Sequence, residues 1–171
     1  MRNPFFCTVF TFTKRGAGGK IKEYPEVYKV KISTKGRYAL RIMIDLSLQD
    51  RNVYIPLRDV AQRQQIPLKY MEQIIPFLNR AGYLKSVRGN GGGYKLACSP
   101  AECTAGDILR AVEGSLAPIA CLEDDPNQCP RREICKTLPF WQGLYRTITD
   151  YVDGVTLAHL AGMPDAPAVK S

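Results

Sequence analysis

The sequence predicts a mostly α-helical fold with one small β-hairpin and a long helix near the C-terminus. Three observations lead to this prediction. Apolar residues recur at helical spacing over much of residues 34–82. Two short strand-like pieces then flank a glycine-rich stretch, which is the pattern of a hairpin. After residue 137, apolar residues alternate at spacings of three and four, as the inner positions of a heptad do.

The first predicted helix lies in the segment TKGRYALRIMIDLSLQD, which starts at Thr34. Its apolar face consists of Tyr38, Ala39, Ile42, Met43 and Leu46. The residues before this segment show no helical period and include the basic, glycine-rich run KRGAGGK. We therefore expect residues 1–29 to be a disordered or misannotated N-terminal extension.

Two further short helices are each expected to begin at a proline, which suits the first turn of a helix. Pro56 opens the first and Pro67 the second, with a tight turn at residues 64–66 between them. Gly82 ends the second helix. Pro76 should kink this helix or start a new one, because proline removes a backbone hydrogen bond. Two short helices joined by a tight turn are typical of a helix-turn-helix, whose second helix reads DNA.

The glycine-rich stretch that follows is YLKSVRGNGGGYKLA. Gly89, Gly91 and Gly93 loosely resemble a dinucleotide-binding fingerprint, but that site needs a helix directly after the loop. A strand-like piece follows instead, which argues against a nucleotide loop. The helices before it favour the wing of a winged helix over a plain surface hairpin. Arg88 supplies a cation, and arginine is attracted into a narrow minor groove. We predict a winged helix-turn-helix DNA-binding domain over residues 30–114.

The charge distribution agrees with an anionic partner. The chain has 171 residues and a formal net charge of +8. Residues 1–30 carry a net +4 and residues 31–114 a net +6, whereas residues 115–171 carry a net −2. Nucleic acid is the usual partner of such a basic region.

Several classes of protein are disfavoured. The only histidine is His159, and no plausible nucleophile–base pair is present, so we do not expect an enzyme or a small-molecule substrate. No apolar stretch approaches the length of a membrane span, and the N-terminus lacks a convincing cleavage site for secretion. We expect a cytoplasmic protein that does not bind membranes.

Three of the six cysteines lie in the segment CLEDDPNQCPRREIC, at Cys121, Cys129 and Cys135. Thiols stay reduced in the cytosol, where clustered cysteines more often bind metal than form disulfides. Thiolates suit both iron–sulfur clusters and zinc, although zinc sites usually show tighter spacing. The segment predicts a cysteine-rich loop over residues 115–137, and its chemistry stays open at this point. Cys98 and Cys103, which precede another predicted helix, are expected to be structural thiols.

The last predicted helix spans residues 138–160. Its heptad seam is formed by Leu138, Trp141, Tyr145, Ile148, Val152 and Val155. Apolar seams rich in aromatic residues are often buried between chains, and helix-turn-helix proteins commonly read two half-sites with two-fold symmetry. We therefore predict a homodimer, the alternative being packing against the chain's own first helix. Residues 161–171 are expected to be a disordered tail.

Four segments carry a resemblance to a known family: KISTKGRYALRIMIDLSL, YMEQIIPFLNRAGYLKSVRGNGGGYKLA, TAGDILRAVEG and the cysteine trio before the long helix. They resemble the winged-helix repressors that include the iron–sulfur cluster regulator IscR and the nitric-oxide sensor NsrR. The resemblance implies a homodimeric repressor of iron–sulfur cluster biogenesis genes that holds one 2Fe–2S cluster per subunit. The cluster ligands it implies are Cys121, Cys129 and Cys135.

The fourth cluster ligand is left open, because this chain departs from the family pattern at two positions. IscR-like proteins have a histidine three residues after the last cysteine, where this chain has Leu138. The nitric-oxide sensor uses an acidic residue at the start of the first helix, where this chain has Arg37.

The helix-turn-helix predicts which residues meet DNA. The first turns of its second helix carry Lys69, Tyr70, Glu72 and Gln73. Glutamine can pair with adenine, and glutamate can accept a hydrogen bond from cytosine N4. In IscR-like regulators a glutamate at this place separates classes of DNA site, which the resemblance carries over to Glu72. Arg88 and Gly89 are expected at the minor groove. Candidates for phosphate contacts are Arg37, Arg41, Arg58 and Arg63.

In this hypothesis, occupancy of the 2Fe–2S cluster changes the preferred DNA site through the cysteine loop. The alternative is a winged-helix regulator whose cysteines bind zinc or react directly with oxidants or nitric oxide. An electron carrier is a third possibility, against which the predicted recognition helix and wing argue.

Overall fold

The computed structural model describes residues 32–89 and 91–163, so the expectations for residues 1–29 and for most of the tail lie outside the described residues. The elements are α1 (Thr34–Ser47), α2 (Leu57–Gln64), α3 (Leu68–Arg80), β1 (Leu84–Val87), β2 (Gly93–Leu96), α4 (Ala105–Glu113), a 3-10 turn at Ala120–Leu122, α5 (Leu138–Gly154) and α6 (Leu157–Leu160). Among these, no helix is both long and apolar enough to cross a membrane.

The start of α1 is held by two acceptors from different parts of the chain. The Ser33 hydroxyl accepts from the N–H of Lys35 at 3.0 Å, as an N-cap residue does. The carboxylate of Glu113, the last residue of α4, accepts from the N–H groups of Ser33 and Gly36 at 3.0 Å each and from the Ser33 hydroxyl at 2.6 Å. A carboxylate is favourable there because the helix N-terminus is positively polarised. A Cβ on Gly36 would lie 2.4 Å from this carboxylate, so glycine leaves room for the contact.

The helix-turn-helix consists of α2 and α3, and the turn between them passes through Gln65 at a left-handed φ of 52°. Pro76 does not start a new helix, because α3 is one helix over Leu68–Arg80; a kink at Pro76 stays a prediction. Pro76 lies on the exposed face. Burial of the opposite face holds the helix together across the missing hydrogen bond, and that face consists of Met71, Ile74, Ile75 and Leu78.

The core lies between α1, α3 and α4, with α6 closing one end. Its largest fully buried side chains are Ile42, Met43, Met71, Ile74, Leu78, Ile108 and Leu157. Thr104 and Asp107 cap α4 reciprocally. The core therefore fixes the position of α3 relative to α1.

The predicted wing is confirmed. Strands β1 and β2 pair antiparallel with Val87 opposite Gly93, and Tyr94 also exchanges two backbone hydrogen bonds of 2.9 Å with Ile55. A Cβ on Gly93 would come within 2.4 Å of the Ile55 backbone, so glycine permits this close approach. The bridge anchors the hairpin to the residues just before α2, which sets the wing beside the helix-turn-helix.

The single helix expected over residues 138–160 is two helices. The α5 helix ends at Gly154, and Thr156 then caps the short α6, which packs on α1. Placing Val155 in an intermolecular seam was wrong: it is 5% exposed, and its carbonyl accepts from the Ala105 N–H at 2.8 Å. The chain turns at Val155 because this backbone pairing with the start of α4 replaces further helical hydrogen bonds.

Candidate nucleic-acid interface and cysteine loop

An open groove of about 520 Å³ lies between the helix-turn-helix and the wing. Its walls come from three places in the chain: the start of α2 with Arg58, the outer face of α3 with Glu72, and the wing with Arg88 and Gly89. Leu68, Val87 and Tyr94 supply apolar parts of the lining. The structure thus brings together four residues that the sequence predicted to meet DNA.

Exposed polar groups characterise this groove. The side chain of Arg58 is 81% exposed and makes only a 3.5 Å contact with Asp59, so it is available to a phosphate. Arg88 is exposed on the wing. Among the described residues that line the groove, Glu72 is the sole carboxylate. A groove lined by two arginines and one carboxylate suits the binding of a nucleic acid, because the carboxylate can discriminate against some base sequences.

The other predicted contact residues lie outside the groove lining. Lys69 and Gln73 are exposed on α3. Tyr70 is half-buried, and its ring packs edge-on against Tyr38 at 5.4 Å, so it also joins α3 to α1. Arg37 is exposed on the first turn of α1, where it donates to the Thr34 hydroxyl at 2.9 Å.

Two of the suggested phosphate ligands are engaged within the fold. Arg63 donates to both oxygens of Asp45, at 3.1 Å from Nε to Oδ2 and 2.5 Å from Nη2 to Oδ1. Gln64 donates to the same carboxylate at 2.9 Å, and Asp45 is only 4% exposed. Arg41 donates to the backbone carbonyl of Gln64. These contacts hold α2 against α1, so neither Arg41 nor Arg63 is a free cation on the surface.

Sequence analysis did not find Asp45 or Glu113. Both carboxylates act across long separations in the chain, Asp45 on α2 and Glu113 on α1. The one available signal was Asp45 itself, an acidic residue placed among apolar residues of α1. No comparable signal marks Glu113.

The cysteine loop runs over residues 115–137 and is mostly exposed. Burial, together with the nearby Cys129 and Cys135, raises the pKa of the Cys121 thiol. A hydrogen bond with the Thr137 hydroxyl, at 3.4 Å, lowers the pKa of Cys135. The fold thus brings the three predicted ligand thiols into one another's neighbourhood. Within residues 32–89 and 91–163, no three His, Cys, Asp or Glu side chains are grouped as ligands around one metal ion.

Comparison with known proteins identifies the family. Residues 32–162 match the family model of Rrf2, described as an iron-dependent transcriptional regulator. The chain belongs to the Rrf2 family. Its fold class and its place among transcriptional regulators rather than enzymes follow from this match, as the sequence predicted.

Relatives of this chain include both IscR and CymR proteins. The transcriptional regulator IscR of Aliivibrio salmonicida is 37% identical over 131 residues, covering 77% of each chain. The solved structure of T. potens IscR aligns with a TM-score of 0.63 at 33% identity, over 82% of this chain and 93% of that one. CymR of B. subtilis, titled the global cysteine regulator, aligns with a TM-score of 0.63 at 38% identity, over 79% and 98%. The Rrf2 match therefore does not identify a signal, and any proposal about the signal must be argued from the residues of this chain.

Proposed function

We propose that this Rrf2 protein is a homodimeric, cytoplasmic repressor of iron–sulfur cluster biogenesis genes whose DNA site preference depends on a 2Fe–2S cluster. The observation that carries the DNA-binding part is the groove shared by α2, α3 and the wing, with Arg58 and Arg88 around Glu72. In this proposal residues 30–114 read DNA and residues 115–137 sense the cluster.

The DNA-reading role of each residue follows from its position. Arg88 and Gly89 on the wing meet the minor groove, whose negative potential attracts the guanidinium. Glu72 points its carboxylate toward base edges, where only a donor such as cytosine N4 compensates for the nearby phosphates. Lys69, Gln73 and Arg58 contact the remaining base edges and phosphates, with Tyr70 and Arg37 at the margin of the surface.

Replacing Glu72 by alanine should broaden the choice of DNA site. Removing the carboxylate deletes a repulsion on unfavourable sequences, so affinity for those sequences should rise about tenfold while affinity for the best site changes less. A panel of single-base operator variants, measured by fluorescence anisotropy, checks this expectation. The matched control is Glu102→Ala, which removes an exposed charge away from the groove. Equal losses on every sequence would assign Glu72 to the fold instead.

The cysteine loop supports the sensing part. A 2Fe–2S cluster supplies a redox-active group when bound, and Cys121, Cys129 and Cys135 supply three thiolates of the kind it takes. All three thiols lie in one mostly exposed segment between α4 and α5, which supports a shared site. The loop joins the DNA-binding domain to α5. Cluster binding that orders the loop would therefore affect the position of both the domain and α5.

The CymR relative titled a global cysteine regulator supports a second candidate, cysteine regulation, and a zinc site or direct thiol oxidation fits the same loop. Iron, zinc and acid-labile sulfide analysis of anaerobically purified protein separates these functions. Two irons and two sulfides per subunit support the cluster. Zinc, or neither metal, supports one of the alternatives.

The dimer is supported by the exposed face of α5. No residue of this helix is buried, and its apolar members are only half-covered by the described chain: Leu138, Trp141, Leu144, Tyr145, Ile148 and Val152. Phe140 and Tyr151 are 65% and 64% exposed. Such a face is covered when α5 packs against a second copy, as the heptad spacing suggests.

Replacing Trp141 by aspartate should convert the dimer to a monomer. Trp141 precedes the part of α5 that approaches α4, so the charge should affect the seam between subunits rather than the fold of one. Analytical ultracentrifugation measures the change. Gln142→Asp places the same charge on the exposed neighbouring position and should stay dimeric. A dimeric Trp141→Asp variant would move the interface elsewhere.

A further inference from the structure

The cysteines Cys98 and Cys103 lie on either side of a tight turn between β2 and α4. The N–H groups of Glu102 and Cys103 both donate to the Ser99 carbonyl at 3.0 Å. This turn reverses the chain, and Cys98 packs against the core cluster that contains Cys103, so the two thiols lie near each other. The pair is separate from the cysteine loop, so the proposed cluster site makes no use of it.

The two thiols differ in access to solvent. Cys103 is 2% exposed, whereas Cys98 is half-buried. The turn that carries them is fixed by α6, since the N–H of Leu157 donates to the Cys103 carbonyl at 2.8 Å and that of Ala158 to the Pro100 carbonyl at 2.9 Å. An oxidant from solvent therefore meets Cys98 first, with Cys103 held behind it.

Charged and titratable groups face this pair from three elements. Arg51, after α1, donates to the Cys98 carbonyl at 3.2 Å. Asp107 comes from the first turn of α4, and Tyr83 lies just before β1 and interacts with Asp107. The hydrogen bond from the Cys103 thiol lowers the pKa of Cys98, and Arg51 contributes to this lowering. The same hydrogen bond and burial raise the pKa of Cys103. Cys98 is thus the better nucleophile of the two, because the thiolate is the reactive form.

We propose that Cys98 and Cys103 form a dithiol site that hydrogen peroxide converts into a disulfide. The Cys98 thiolate attacks the peroxide, so an S–O bond forms, the O–O bond breaks and hydroxide leaves. The Cys103 sulfur then attacks the Cys98 sulfur, so the S–S bond forms and the S–O bond breaks. The proton of Cys103 leaves with the displaced hydroxide as water. The peroxide gains two electrons and the two thiols lose them.

The sequence makes this reaction easy to follow. Trypsin cleaves after Lys95 and Arg110, so Cys98 and Cys103 fall together in one peptide, residues 96–110, with no other cysteine. Cys121 and Cys129 fall in residues 111–131 and Cys135 in residues 133–136. Oxidation of the pair is therefore separated from oxidation of the loop by peptide mass alone.

To test this, the full chain is treated with hydrogen peroxide, and free thiols are blocked with iodoacetamide. The protein is then digested with trypsin, and the peptide masses are measured by mass spectrometry. We expect the peptide of residues 96–110 to be unalkylated and lighter by two hydrogen atoms, and to form faster as pH rises. The Cys98→Ser variant should leave Cys103 alkylated. Two alkylated cysteines in the wild-type peptide, or a crosslink from it to the loop peptides, would overturn the proposal.

The same treatment of the Cys121→Ala/Cys129→Ala/Cys135→Ala variant keeps this site distinct from the proposed cluster. The 96–110 disulfide should form there to the same extent. Failure in this variant as well as in wild type refutes the dithiol site and leaves the cluster proposal untouched.

Discussion

Anaerobically purified protein is expected to lose its iron, its acid-labile sulfide and its visible absorption bands when any one of Cys121, Cys129 or Cys135 is replaced by alanine. Each change removes one of three thiolates, and the remaining donors in the exposed loop hold the cluster too weakly to survive purification. The loss should be nearly complete for each position. Ultraviolet–visible spectra and iron and sulfide assays of the three variants measure it.

The matched control is Cys98→Ala, which removes a half-buried thiol outside the loop and should keep the wild-type spectrum. A loop variant that retains full iron content would remove that cysteine from the ligand set. Colour loss in Cys98→Ala, with the fold intact by circular dichroism, would move the cluster away from the loop.

Replacing Arg63 by leucine is expected to lower the free energy of unfolding by about 3 kcal/mol, because it leaves a buried carboxylate without its charged partner. Asp45 is 4% exposed and keeps only the hydrogen bond from Gln64, which holds the cost near the lower end of that range. Urea unfolding followed by circular dichroism gives the value.

Arg58→Leu serves as the control, since it lies on the same helix and its ion pair with Asp59 is exposed. Its effect should stay within about 0.5 kcal/mol. The double change Asp45→Leu/Arg63→Leu should recover much of the loss, because an apolar pair of similar volume often replaces a buried ion pair without cost. Equal effects of Arg58→Leu and Arg63→Leu would show that the Asp45 contact contributes little.

The parts of the fold that sequence predicted are those in which local pattern and tertiary packing agree. The apolar face of α1, the helix-turn-helix and the glycine-rich wing each have a local signal, and each is present in the structure. At Pro76 the local signal allowed a new helix to start, but burial of the other face of α3 keeps the helix continuous.

The parts that sequence missed depend on contacts between distant residues. The heptad spacing continues through Val155, but backbone pairing with Ala105 ends α5 before it. The sequence suggests that Arg63 is a surface cation, and only the fold shows that it pairs with Asp45. For the candidate site, the sequence identified the groove residues Glu72, Arg58 and Arg88, whereas the apolar lining by Leu68, Val87 and Tyr94 emerged only from the folded geometry.

The contact between Glu113 and the start of α1 couples the position of α1 to that of the end of α4. One carboxylate satisfies three donors of Ser33 and Gly36, and the residue after it, Gly114, is the pivot from which the cysteine segment departs. A displacement of that pivot by little more than an ångström breaks all three bonds together, since each depends on the same oxygen atom. Movement of residues 115–137 could therefore be transmitted through Glu113 to the N-terminus of α1.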